Sequence, residues 1–170
     1  MRVHICQLKP RKSTYSLEEL KGKMEAYCAY QDRCHKEVEE KLREYDLIPE
    51  ARDMILLHLL EEGYLNEERF ARSFARGRFR IKKWGRVRIE RELRLRDISA
   101  YNIRQGLSEI APEDYEQTLS DLAEKKFAEV TEKHPMKKRK KVADFLLRRG
   151  FESQKVYAKL LDLEQQAKKK

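Results

Sequence analysis

No run of eighteen apolar residues occurs anywhere in the 170-residue sequence, so a membrane-spanning helix is not expected. Met1 to Pro10 carries scattered charge in place of the apolar stretch of a signal peptide, and a soluble, non-exported protein is expected. Glycine is scarce: Gly22, Gly63, Gly77, Gly85, Gly106 and Gly150 are never close enough to form G-x-G-x-x-G or the G-x-x-x-x-G-K of a phosphate loop, which excludes the usual nucleotide-cradling loops. Three cysteines, Cys6, Cys28 and Cys34, make no C-x-x-C pair and leave one odd thiol. A disulfide framework is therefore not expected, and a reducing cytoplasmic setting is. Cys28 with Cys34-His35, and His4 with Cys6, give no two ligand pairs at closing distance, so these residues read as packing or exposed groups and no metal is expected. With no Ser-His-Asp or H-E-x-x-H arrangement either, neither an enzyme nor a cofactor is expected.

What the chain has in abundance is charge, 41% of its residues against an average near 25%. Long runs of Glu, Lys, Arg and Leu suit helices, and six glycines with four prolines are too few for a loop-rich sandwich or barrel, so the fold expected is all-α. The charge is unevenly placed. Residues 16–62 hold 7 basic and 13 acidic side chains, a net of −6, whereas residues 69–96 hold 12 basic and 2 acidic, a net of +10. A further cluster at 137–149 has 7 basic residues against Asp144 alone. A polyanion such as a nucleic-acid backbone would be drawn to the middle and last parts and repelled by the first.

The pattern Val38-x-x-x-Leu42-x-x-x-Asp46-Leu47 returns as Ile89-x-x-x-Leu93-x-x-x-Asp97-Ile98 and as Val142-x-x-x-Leu146-x-x-x-Gly150-Phe151. Leu56, Leu107 and Leu160 follow in the same register. Apolar residues four apart stack on one helical face, and Asp or Gly ends that helix, so each copy reads as a helix, a tight turn and a second helix. A further helix precedes each pair. Ser16 with Glu19 forms a capping box, Asn66 caps a helix from Glu67 to about Ile81, and Pro112 opens one that runs until His134-Pro135. The third helix of each copy starts at Pro49, carrying Leu60, or is capped by Ser99 or by Ser153, where Leu161 is expected to face inward. The expectation is a tandem array of three three-helix repeats, elongated or curved: 16–63 (acidic), 64–111 (basic) and 112–164. An arm at 1–15 with a short strand over Arg2–Leu8 precedes them, and a frayed basic tail at 165–170 follows.

Gly63-Tyr64-Leu65-Asn66-Glu67-Glu68-Arg69-Phe70-Ala71 leading into Gly85-x-x-x-Ile89-x-x-x-Leu93 resembles the RecX family of regulatory proteins, over roughly residues 16–163 and most strongly from Gly63 to Ile110. Asp46 and Asp97 depart from the Gly that many members carry after the second helix, as Gly150 still does, and Asp enters a left-handed turn less readily. The resemblance implies a regulator of the RecA recombinase. It would bind the RecA filament on single-stranded DNA and inhibit its ATP hydrolysis and strand exchange, in DNA recombination, DNA repair and the SOS response. The partners expected are the RecA filament and, through phosphates, single-stranded DNA, with no membrane partner and a monomeric chain. From the residues alone, a stand-alone sequence-tolerant nucleic-acid-binding protein and a helical scaffold for an acidic protein are the other readings.

At 100° per residue Phe70, Phe74, Gly77 and Ile81 share one stripe of the Glu67 helix, and Arg69, Arg72, Arg76 and Arg80 form another about a quarter turn away. The arginines read as a contact for an anionic partner, DNA or an acidic protein surface, or else as a solvated face. Arg88, Arg91 and Arg94 add a second row at i+3 steps. Lys82, Lys83, Trp84 and Arg86 join two helices, where the indole either packs or stacks on an unpaired base. Lys137, Lys138, Arg139, Lys140 and Lys141, followed by Arg148 and Arg149, form a third basic group, a phosphate contact or a solvated face.

Overall fold

The computed structural model describes residues 15–168; the strand expected over Arg2–Leu8, with His4 and Cys6, lies outside them. Among the described residues there are nine α-helices and no strand: α1 (Leu17–Tyr30), α2 (His35–Leu42), α3 (Pro49–Glu61), α4 (Glu67–Lys82), α5 (Arg86–Arg94), α6 (Ala100–Ser108), α7 (Pro112–Glu129), α8 (Pro135–Arg148) and α9 (Ser153–Lys168). Two compact units result, one ending at Asn66 and the other beginning at Glu67. None of these helices is long and apolar enough to cross a membrane, and no group of three or more His, Cys, Asp or Glu among the described residues is placed to hold a metal ion.

In the first unit α1 and α2 both pack on α3. Ser16 caps α1: its hydroxyl accepts from the Glu19 N–H while Glu19 accepts from the Ser16 N–H, so two otherwise orphaned donors are satisfied. Leu20, Met24, Val38, Leu42, Ile55 and Leu59 fill the core, each contributing roughly 1.5–3 kcal/mol by leaving water. Cys28 and Cys34 are buried. Leu60 is 47% exposed, because it lies 100° round the helix from the buried Leu59.

The second unit contains two triads, α4–α6 and α7–α9. The register holds: Ile89 and Leu93, then Val142 and Leu146, have no exposed surface. Gly150 closes α8 in a left-handed turn, with its N–H donating to the Leu147 carbonyl and that of Phe151 to Leu146. Asp97 does the same for α5, at a φ of 60°, with Asp97 N–H to Arg94 and Ile98 N–H to Leu93. The departure from Gly thus leaves the turn intact there. Asp46 does not take that conformation, so α2 ends differently from its counterparts.

The α4 stripe needs correction. Phe70, Ala71, Ala75 and Phe79 are buried, while Phe74 is half-buried and Ile81 is 77% exposed. Ala71 meets α6 so closely that a side chain on Gly106 would touch the Ala71 carbonyl oxygen at 2.7 Å. Farther along, Phe79 turns to Tyr115 of α7, ring centroids 5.9 Å apart. One helix serves two neighbours, and Ile81, about 200° from Phe79, falls on the far side. Smaller shifts occur elsewhere: α7 stops at Glu129, before His134-Pro135, Ser153 is the first residue of α9 and not its cap, Leu161 is exposed, and α9 continues to Lys168 through the tail expected to fray.

The two triads meet backbone to backbone. Gly85 N–H donates to the Arg149 carbonyl at 2.8 Å, Val87 N–H to the Gly150 carbonyl at 3.1 Å, and Arg86 N–H to the Tyr115 hydroxyl at 3.2 Å. The amino end of α5 is therefore satisfied by the carboxyl end of α8 and by α7, and the free N–H and C=O groups of two helix ends cancel. Only glycine allows this approach, since a Cβ on Gly85 would lie 2.1 Å from the Gly150 oxygen and one on Gly150 2.3 Å from the Arg88 Cβ.

Candidate functional site

On α4 the middle of the arginine stripe is committed inside the protein. Arg72 donates to Glu109 Oε1 at 2.7 Å, to Gln105 Oε1 at 2.8 Å and, through Nε and Nη2, to Glu68 Oε1 at 3.0 and 2.8 Å. Arg76 reaches the other oxygen of Glu109 at 3.2 Å. Glu109 caps the carboxyl end of α6, so a shared carboxylate ties α4 to α6. The hydrogen bond to Glu109, and after it that to Glu68, raises the Arg72 guanidinium above its ordinary value. Arg69 and Arg80 are exposed.

Lys82 ends α4, and Lys83 turns the chain through the left-handed region, φ 53°. Both side chains are exposed. Trp84 is half-buried between arginines, with Arg88 Cζ 4.0 Å and Arg78 Cζ 5.2 Å from its ring centroid, an attractive arrangement of cation and ring. Arg86 is a fastening: its Nη2 donates to the Ile110 carbonyl at 3.0 Å and its guanidinium lies 4.5 Å from the Tyr115 ring.

The α5 row separates into unlike members. Arg94 pairs with Glu90 one turn back, and Arg91 lies 3.8 Å from Glu92. Arg88 forms no ion pair among the described residues: Nη1 donates to the Arg148 carbonyl at 3.3 Å, and Nε is buried without a hydrogen-bond partner. A groove of about 680 Å³ runs past Arg88, Arg91 and Val87 of α5 and Asp144, Leu147 and Arg148 of α8. A second hollow of about 360 Å³, lined by Lys82, Trp84, Phe145 and Arg149, shares Arg88 and Arg148 with the first. Arg148 is exposed and held by the Asp144 carbonyl of its own helix, while Arg149 donates to the Lys82 carbonyl at 2.8 Å. Neither makes an ion pair among the described residues.

Of the α8 lysine run, Lys137 and Lys140 are exposed. Lys138 sits 4.2 Å from the Phe127 ring centroid, Arg139 lies 3.8 Å from Glu164, and Lys141 pairs with Glu132 at 2.9 Å. Lys141 first, then the His134 N–H, lowers the Glu132 carboxyl below its usual range. The fold thus brings Lys82, Trp84, Arg88, Arg91, Arg148 and Arg149 together and leaves the α4 stripe apart. Sequence reading missed Arg78 beside Trp84 and the meeting of Arg88 with Arg148, sixty residues away; the signal was Gly85 and Gly150, each beside an arginine-rich helix end.

The family model for RecX, second three-helix domain, matches residues 66–107, and that for RecX, third three-helix domain, matches 113–161. The chain is 39% identical over 92 residues to the regulatory protein RecX of Pseudomonas savastanoi pv. phaseolicola, covering 54% of this chain and 58% of that protein. It is 28% identical over 141 residues to that of Limosilactobacillus reuteri, covering 83% and 53%. The chain spans about half the length of these curated relatives. A crystal structure of regulatory protein RecX superposes with a TM-score of 0.76 at 26% identity, over 86% of this chain and 71% of that one. With two successive three-helix domains matched across more than half of its length and the same helical architecture in a solved relative, the chain belongs to the RecX family of regulatory proteins.

Proposed function

We propose that this protein binds the RecA filament on single-stranded DNA and lowers its ATP hydrolysis and strand exchange. The observation that carries the reading is the run of arginines without acidic partners in the second unit, on a chain of a regulatory family. A filament of protein on a nucleic acid offers phosphates to such a surface. The first repeat, acidic over 16–62, would be repelled by phosphate and is free to face basic protein. The basic residues are spread over α4, α5 and α8, which suits backbone contact better than reading of base sequence. The test is the rate of ATP hydrolysis by RecA from the same organism on single-stranded DNA, with and without the protein at fixed salt. The expected result is a lower rate that scales with added protein; an unchanged rate refutes the reading.

A further inference from the structure

Basic side chains are common on this chain, but their charges are not equally available. Arg72 and Arg76 share Glu109, Arg94 has Glu90, and Lys141 has Glu132. A guanidinium that already has a carboxylate offers an incoming anion little net attraction, because the competing pair must first be broken. Along the line where α5 meets α8 the situation is reversed. Arg88, Arg148 and Arg149 have no ion-pair partner among the described residues, and their geometry is set by backbone carbonyls and rings in place of carboxylates. Asp144 is the one acid in the groove, which it shares with Arg88 and Arg148.

We infer that the α5–α8 seam is a binding groove for the phosphodiester backbone of a single strand, with Arg88 and Arg148 as its central contacts. This rests on the reading of a nucleic-acid-bearing partner given above. Three observations select that ligand. The two hollows share Arg88 and Arg148, so the cationic groups follow one another along an open track, which fits an extended polyanion. The charges are arginines, whose planar forks donate paired hydrogen bonds to phosphate oxygens. The rings of Trp84 and Phe145 line the second hollow, Trp84 carrying Arg88 and Phe145 carrying Arg149, with Cζ 4.0 and 4.9 Å from the ring centroids. Guanidinium planes backed by these rings offer flat faces on which unpaired bases stack without regard to sequence, a use an acidic peptide does not have for them.

The experiment measures fluorescence anisotropy of a labelled oligothymidylate with the full chain, without RecA, across a range of salt concentrations. For Arg88→Gln with Arg148→Gln, affinity at fixed salt should fall about tenfold. The slope of log Kd against log salt should fall by about 1.4, two phosphate contacts at about 0.7 each. Lys125→Gln with Lys133→Gln, an equal loss of charge at exposed positions that line neither hollow, should leave both quantities near the parent's. Parental values in the first variant, an equal loss in the second, or equal displacement of the oligonucleotide by a polyaspartate of the same charge would each overturn the inference. Should the first pair of substitutions unfold the protein, Arg148→Glu alone decides, since Arg148 is exposed: unchanged affinity overturns the groove. RecA is absent throughout, so a failure of the regulatory reading shows in ATP hydrolysis and not here.

Discussion

Tyr115 has no exposed surface, and its hydroxyl has two partners: it donates to Glu152 Oε2 at 2.5 Å and accepts from the Arg86 N–H. Its ring lies between Phe79 and Phe151, with centroids 5.9 and 5.3 Å away. Burial, and after it the hydrogen bond to Glu152, pushes the phenol well above its usual value. The unfolded chain releases that proton near pH 10, whereas the folded chain holds it to higher pH. Stability from this source is therefore complete below pH 10 and falls as pH rises beyond it. Tyr115→Phe should cost about 1–3 kcal/mol at neutral pH by orphaning Glu152 and the Arg86 N–H, and should flatten the alkaline loss; urea titrations of both proteins at pH 7 and pH 10.5 check this. Sequence reading placed the start of α7 at Pro112 and passed over Tyr115, although 115, 119 and 123 share the buried face. A tyrosine beside Pro112-Glu113-Asp114 reads as a surface residue until its partners from α4, α5 and the start of α9 are in place.

At the scale of the helix, much of the plan was legible and the contact faces less so. The caps at Ser16 and Ser99 and the starts at Pro49 and Pro112 follow from local chemistry, because a hydroxyl or a missing N–H acts within its own turn. The α4 face was misread because large apolar residues dominate any stripe, while Ala71, Ala75 and Gly106 pack by being small, a property that acquires meaning only once α6 lies alongside. The same reasoning separates the glycines. Gly85→Ala drives a methyl group into backbone atoms of Gly150 and Phe151, in the turn after α8, and should destabilise by roughly 1–3 kcal/mol. Gly77→Ala, within α4 and with no atom within 4 Å of the added carbon, should stabilise by about 0.4–1 kcal/mol. Thermal denaturation followed by circular dichroism gives both signs, and equal shifts would mean that the α5–α8 contact is not tight.

Over the whole molecule, charge was readable by counting and its availability was not. The totals of −6 over 16–62 and +10 over 69–96 are properties of composition, whereas Glu109, which neutralises part of the second, comes from the far end of α6, thirty-three residues beyond Arg76. The spatial link between Arg88 and Arg148 likewise arises only when two repeats are joined. That junction has a consequence in time as well as in space. The first amides of a helix ordinarily face water and exchange their hydrogens quickly. Here Gly85, Arg86 and Val87 donate to atoms of the neighbouring triad, so their protons are released only when the two triads come apart. In deuterated solvent these three amides should persist together, far longer than those of Ala100 and Tyr101 at the start of α6, and Gly85→Ala should shorten the remaining two lifetimes that can be compared. Three consecutive amide protons at the start of one short helix thus keep a clock for the separation of two repeats.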